Sequence, residues 1–451
     1  VTGSDRGAAT ALAGLGRHLM TLRSLQWMVG ESGDPYALLL RGDAGQVPVL
    51  RNRGPVWRSE LGTWVITEVD LVARLLSDPR LGARHRGCSG PQVHPIQGGR
   101  WRRPSCHPLP LEGAALTLSG AEVSRVTHLA AAVSADGAVP TVGAATTDGA
   151  ATTGGAATTD WAATAERVSA QHADRLTGAS EVTVDGSTEV MAGFARPAAG
   201  QTLAVLLELP AALSEQLAEV GADLAPALDA GLSPLWLDTA ARVVVAAPRI
   251  RRLVTDVVGS GAPGGGLIEE LRGAARSTRL DVDDVGNAVA SLAVAGVEMA
   301  VQTVGKTVAR LLTTNTWSPE LVEGAVEHTL RYDPPVRLVS LVAQEAVEVA
   351  GGQIGADDHV VLLVAEPEHR TASARASAPG SASGPPPLCL SGGPAVGLVA
   401  GFVRCQATAA IRVLATRFPE AVLAGDVVYR PLAPVTGGLL ELPVILGRSA
   451  R

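Results

Sequence analysis

Aromatic side chains make up only 3% of this sequence, and Lys306 is its sole lysine. Positive charge is therefore almost all arginine, a bias that reads as GC-rich coding and says little about chemistry. The formal net charge is −7, so there is no basic excess to neutralise phosphates or an anionic bilayer. That balance argues against nucleic acid and membrane surfaces as partners. Four cysteines, Cys88, Cys106, Cys389 and Cys405, have no metal-ligand spacing and are too few for a disulfide scaffold in 451 residues. No Lys/Arg-led apolar leader opens the chain, so secretion is not expected. The most apolar long segment, Ala288–Gly305, is interrupted by Ser291, Glu298 and Gln302. It reads as a buried helix, not a membrane span. These absences leave a soluble protein, expected in the cytoplasm.

What is present is apolar bulk, 46% hydrophobic residues dominated by Ala and Val, ample for a core. Leu12, Leu15, Leu19 and Leu22 fall on one face of a first helix, and Gly30 and Gly33-Asp34-Pro35 break it. That stripe has two readings, a packing face or a docking face for a partner. Trp64–Thr67 is a strand former, followed by the helical period of Val69, Val72, Leu75 and Leu76 and a stop at Asp78-Pro79. Residues 86–116 carry no periodic signal. Residues 143–160 repeat a hexamer, GAATTD-GAATTG-GAATTD, with no bulky apolar side chain, and read as a flexible surface insert. Glu189–Pro210 holds two helical stretches around Arg196-Pro197, and residues 211–286 are Ala/Leu/Val helices. Val336–Val364 alternates at strand period, with turns at Gly351-Gly352 and near Gly355–Asp358. Residues 371–387 are an Ala/Ser/Gly/Pro low-complexity loop. The whole chain, 1–451, is expected to form one domain.

The organising stretch is Leu388–Pro419, a glycine-rich bulge opening into a long helix with Ala400, Val403, Ala407, Ala410, Ile411 and Leu414 in register. It resembles the haem-binding segment of the cytochrome P-450 fold, in which such a loop delivers an axial cysteine and then becomes a helix. Glu327-His328-Thr329-Leu330-Arg331 and the following Tyr332-Asp333-Pro334-Pro335 resemble that fold's Glu-x-x-Arg segment. The resemblance implies a mainly α protein with small β-sheets, a cytochrome P-450-like fold. It also implies a degenerate haem site. Aligned on Arg404, the axial cysteine falls on Gly397, which has no side chain, whereas haem-thiolate chemistry needs a cysteine sulfur on iron. In the acid–Thr pair of the central helix, the acid is Glu298 but the threonine position is Ala300, with Thr303 one turn on as a possible substitute. The Glu of Glu-x-x-Arg is His328, with Glu327 adjacent and four residues from Arg331. The haem-propionate partners fall on Leu341 and Ala395, and the Trp/His-x-x-x-Arg anchor ends on Ser105 after Trp101.

This pattern of losses, together with the block Gly14–Tyr36, is similar to one branch of the superfamily. These are the haem-free P-450-like activator proteins of TDP-deoxysugar glycosyltransferases in macrolide and anthracycline biosynthesis. The resemblance implies no catalytic residue, no cofactor and no metal. It implies instead a partner glycosyltransferase in a hetero-oligomer, with Leu12, Leu15, Leu19 and Leu22 as the candidate contact. Two alternatives stay open: an unconventional haem protein using Cys389 or Cys405, or a haem-free binder of an apolar metabolite.

Overall fold

The computed structural model describes residues 3–43, 45–83, 96–97, 100–101, 109, 111, 114–135, 160–176, 187–259, 266–367, 386–393 and 397–447. The repeat before Asp160, the low-complexity loop before Pro386, Ala395, Ser105 and the side chain of Leu12 lie outside them.

The first helix, α1 (Gly3–Glu31), starts earlier than its leucine pattern required and stops at the Gly33-Asp34-Pro35 break. Asp34 caps α2 (Pro35–Leu40) by accepting from the Ala37 amide at 2.9 Å. Its second oxygen accepts from the Ser59 hydroxyl and the Glu60 amide, both at 2.9 Å, so one carboxylate ties the helix to the strand region that follows. After α3 (Gln46–Asn52) come β1 (Val56–Arg58), β2 (Trp64–Ile66) and α4 (Val69–Leu76), as the period change predicts. Two-residue strands β3 (Leu81–Gly82), β4 (Ile96–Gln97) and β5 (Arg100–Trp101) lead to α5 (Gly120–Ala135) and α6 (Trp161–Leu176).

A short strand β6 (Thr188–Glu189) and a π-turn at Met191–Ala195 run into α7 (Arg196–Leu206), with Pro197 in its first turn, where no amide is needed. The helical lobe expected over 211–286 is present as α8 (Ala211–Leu224), α9 (Ala227–Ala230), α10 (Leu237–Gly259) and α11 (Leu267–Thr278). The central helix is α12 (Val282–Ser291) and α13 (Val297–Thr313), continuous through a π-turn at Leu292–Gly296. Asp281 and Asp284 cap its start reciprocally. Asp284 also accepts from Arg125 of α5 at 2.7 Å. The most apolar stretch of this helix is wholly buried within the protein, which accounts for its composition without a membrane.

After α14 (Val322–Tyr332), β7 (Leu338–Ala343), β8 (Val347–Val349), β9 (Gly352–Ile354) and β10 (His359–Leu363) complete the sheet region. The largest sheet has the order β1-β2-β10-β7-β3, antiparallel except where β10 runs parallel to β2. The last helix, α15 (Val399–Arg417), lies beside α6 and runs parallel to it. Trp161 meets Phe402 edge-on at one end, and Asp174 pairs with Arg417 at the other. Strands β11 (Val422–Leu423), β12 (Val428–Tyr429), β13 (Leu439–Glu441) and β14 (Pro443–Ile445) close the chain, with β14 between β11 and β6.

Buried charges pin this closing segment to the helices. Asp229 of α9 accepts from the Val435 and Thr436 amides and from the Thr436 hydroxyl, at 2.8, 3.0 and 2.7 Å. Lys306 of α13 donates to the Pro334 and Thr436 carbonyls at 2.8 and 2.9 Å and to Asp333 at 3.0 Å. One contiguous apolar cluster extends from Leu19 of α1 to Val444 of β14.

Candidate functional site

The glycine-rich bulge forms as its composition requires. Gly393 and Gly397 both hold positive φ, at 63° and 64°, where a side chain is strained. The turn at Gly397 sets α15 off directly beneath α5. A Cβ at position 397 would lie 3.1 Å from Val126 Cγ1, 3.3 Å from the Val126 carbonyl oxygen and 3.4 Å from Ala130 Cβ. The position that should deliver an axial ligand therefore packs tightly against Val126 and Ala130 of α5, which would crowd any side chain placed there.

The two thiols nearby do not compensate. Cys389 sits in a short turn, Leu388–Leu390, wholly buried, and donates its Sγ proton to the Leu330 carbonyl at 3.0 Å. Burial pushes this thiol far above its usual range, against the opposing pull of Arg404. Cys405, on α15, is pushed up to about 11, again by burial. Cys389 thus spends its thiol on the Leu330 carbonyl, away from the loop that ends at Gly397. Among the described residues no group of three His, Cys, Asp or Glu could hold a metal ion.

The acid–Thr pair of the central helix is altered. Ala300 is fully buried and has no hydroxyl, and the Thr303 hydroxyl donates to the Met299 carbonyl of its own helix at 2.7 Å. Glu298 is buried and fully engaged. It accepts from Arg196 at 2.7 Å, Arg430 at 2.8 Å and Gln302 at 3.0 Å. Burial pushes its carboxyl up, but the two guanidiniums outweigh it and set the value to about 2. A carboxylate held so low is a poor general acid near neutrality. Leu341 lies in β7, buried at the position of a propionate-binding arginine.

The Glu-x-x-Arg segment is rewired. Glu327 does not serve Arg331; it takes Arg404 of α15, with contacts of 2.6 and 3.4 Å. Arg331 finds its carboxylate in Glu366, 3.5 Å away beyond β10, and His328 stacks edge-on against Tyr332 with centroids 4.6 Å apart. Exchanging Glu366 for Gln should cost about 1 kcal/mol, at the upper end for a partly exposed pair. Adding His328→Glu to that variant should restore the loss, read as the urea midpoint of each protein. No recovery in the double variant would show that Arg331 does not depend on a local acid.

A haem does not fit these residues. Its ligand position is a glycine packed against α5, and an aliphatic side chain stands at Leu341, where an anionic propionate would need a cation. Gly397, Ala300, His328 and Leu341 stand on four different elements, the start of α15, α13, α14 and β7, and none of the four carries the functional group that the cofactor motif calls for at its position.

The partner stripe is corrected in part. Leu19 and Leu22 are buried in the protein's own core and Leu15 packs partly against it, because the stripe is the inward face of α1. The outward face of the same helix carries Met20, Trp27 and Met28, all more than half exposed. Reading the helix for its apolar period alone passes over these side chains. Their off-period position is the signal that could have found them.

No family model matches the chain. It is 36% identical to the protein AknT of Streptomyces galilaeus over 450 residues, covering 95% of each chain. It is 31% identical to the protein DesVIII of Streptomyces venezuelae, over 95% of this chain and 93% of that one. Among solved structures it is similar to P450BioI in complex with an acyl carrier protein ligated to hexadec-9Z-enoic acid. That match has a TM-score of 0.65 at 21% identity, over 90% of this chain and 98% of the other, and shows the cytochrome P-450 fold.

Proposed function

Because the chain belongs to the family of AknT and DesVIII, the cytochrome P-450-like activator proteins whose motifs it carries, we propose that it is a non-catalytic auxiliary subunit. Its partner is a TDP-deoxysugar glycosyltransferase of antibiotic biosynthesis, which it binds in a hetero-oligomer in the cytoplasm. The observation that carries this reading is the turn at Gly397, closed against Val126 of α5 at the point where oxygen chemistry would need a ligand. A P-450 scaffold without that ligand still offers a large rigid surface. Glu298, through Arg430, and Lys306, through the Thr436 carbonyl, tie the central helix to the closing segment and so support that rigidity.

Activation then follows from linkage. A subunit that binds the competent form of an enzyme more tightly than the incompetent form shifts the population towards competence. By the same binding it raises the enzyme's resistance to unfolding. Co-expression with the glycosyltransferase should raise turnover by at least ~10-fold, as a coupling free energy of about 1.4 kcal/mol requires. It should also yield a complex that co-purifies. Unchanged turnover with no complex would remove the proposal.

A further inference from the structure

We propose that the corner where the outward flank of α1 meets the start of α10 docks the glycosyltransferase, through Met20, Trp27, Met28, Trp236 and Leu237. This rests on the functional reading above and adds the surface that carries it. On α1, Met20 and Trp27 lie within about 20° of each other around the axis, with Met28 on the same outward side. Gly16 and Arg23 form the edge of that flank. A Cβ at Gly16 would touch both Leu237 δ-methyl groups at 3.6 Å. The Arg23 guanidinium lies 4.0 Å over the Trp236 ring and donates to the Pro234 carbonyl at 2.8 Å. The two helices therefore present one continuous apolar surface, and all five side chains are at least half exposed.

Its composition is that of an interface centre. Trp, Met and Arg are enriched there, and a few aromatic anchors carry most of the binding free energy. Both indoles are already held. Arg41 lies 3.7 Å over Trp27 and is itself fixed by Glu31 at 2.9 Å, as Arg23 fixes Trp236. Side chains ordered before docking lose less freedom on binding.

Charge selects the occupant. Among the described side chains at this corner, once Arg41 and Glu31 pair, the charged groups are Arg17, Arg23 and Arg242 against Asp238. This is a basic corner on a chain of net charge −7. It fits an acidic face on another protein. A two-fold contact between copies would set this basic patch against an identical basic patch, because such an interface uses the same surface on both subunits. A second exposed apolar area, with Val422 opposite Ile445 and with Tyr429 nearby in sequence, lacks stacked indoles and serves as the control.

The test measures affinity for the glycosyltransferase that the wild-type chain activates. Trp27→Ser with Trp236→Ser should weaken binding at least ~30-fold, as for a pair of anchor residues. The urea midpoint should stay near wild type. If that variant does not fold, Met28→Glu replaces it, since Met28 is 65% exposed and its new charge would face the partner. Arg17→Glu with Arg242→Glu should slow association and reduce its dependence on salt. Wild-type affinity in the Trp and Met28 variants overturns the assignment while leaving the activator reading in place. So does a loss confined to Val422→Ser with Ile445→Ser, or a change only in self-association. If the wild-type chain itself neither binds nor activates the enzyme, the activator reading falls, and this surface with it.

Discussion

Glu298→Gln should destabilise the protein by about 3–5 kcal/mol, the range for removing one partner of a buried ion pair. The reason lies on both sides of the carboxylate. Arg196 and Arg430 approach Glu298 from α7 and from the closing strand region, 2.7 and 2.8 Å away, and its side chain is only 1% exposed. An amide keeps the shape and the bond with Gln302 but neutralises the charge that both guanidiniums need. The pH dependence gives a second, independent reading. The Glu298 carboxyl titrates near 2 when folded, against its usual 4.5, so its folded value is depressed. Its contribution is then fully present above about pH 4.5 and is lost as pH falls towards 2. For a depression of this size it amounts to about 3 kcal/mol. Urea unfolding at pH 7 and pH 3 should show the wild type losing stability that the variant has already lost. A pH 7 loss under about 1 kcal/mol would mean that the two arginines are satisfied by solvent.

Gly397→Cys should yield no haem protein, although it restores the axial side chain of the P-450 pattern. The backbone there holds φ at 64°, so any L side chain costs about 1–2 kcal/mol. The new Cβ would crowd Val126 and Ala130, adding roughly 1–3 kcal/mol of overpacking. The propionate side would still meet Leu341. The expected result is a Soret band of zero after haem supplementation, with a lower urea midpoint. Gly397→Ala separates the causes and should lose nearly as much stability, because the cost belongs to the Cβ. A stoichiometric Soret band in the cysteine variant would show that the pocket survives and that only its ligand is missing.

Much of the fold was legible because it follows local rules. The apolar run of the central helix, the period change at Trp64–Leu76, the alternation after Val336 and the glycine bulge before α15 each appear where the residues require. The partners of the site were not legible, because long-range pairing leaves no trace in spacing. Arg430 is 132 residues from Glu298, and Glu366 is 35 from Arg331, so nothing nearby announces either pair. Glu327 looks toward Arg331 along one helix, yet α15 lies closer in space and supplies Arg404. On α1 the period identified the apolar stripe correctly. Its assignment to a partner failed at Leu19 and Leu22, because periodicity locates an apolar face without saying what covers it.

Lys306 lies buried with all three of its bonds made to neighbouring oxygens, and no other lysine exists in the chain. The described surface is consequently blank to amine-reactive reagents. A bis-succinimidyl cross-linker has no side-chain amine to grip here, so failure to join this chain to a partner would say nothing about whether they meet. Carboxylate-activating or arginine-selective reagents, which find abundant targets on these helices, are the ones that can trap the assembly for mapping.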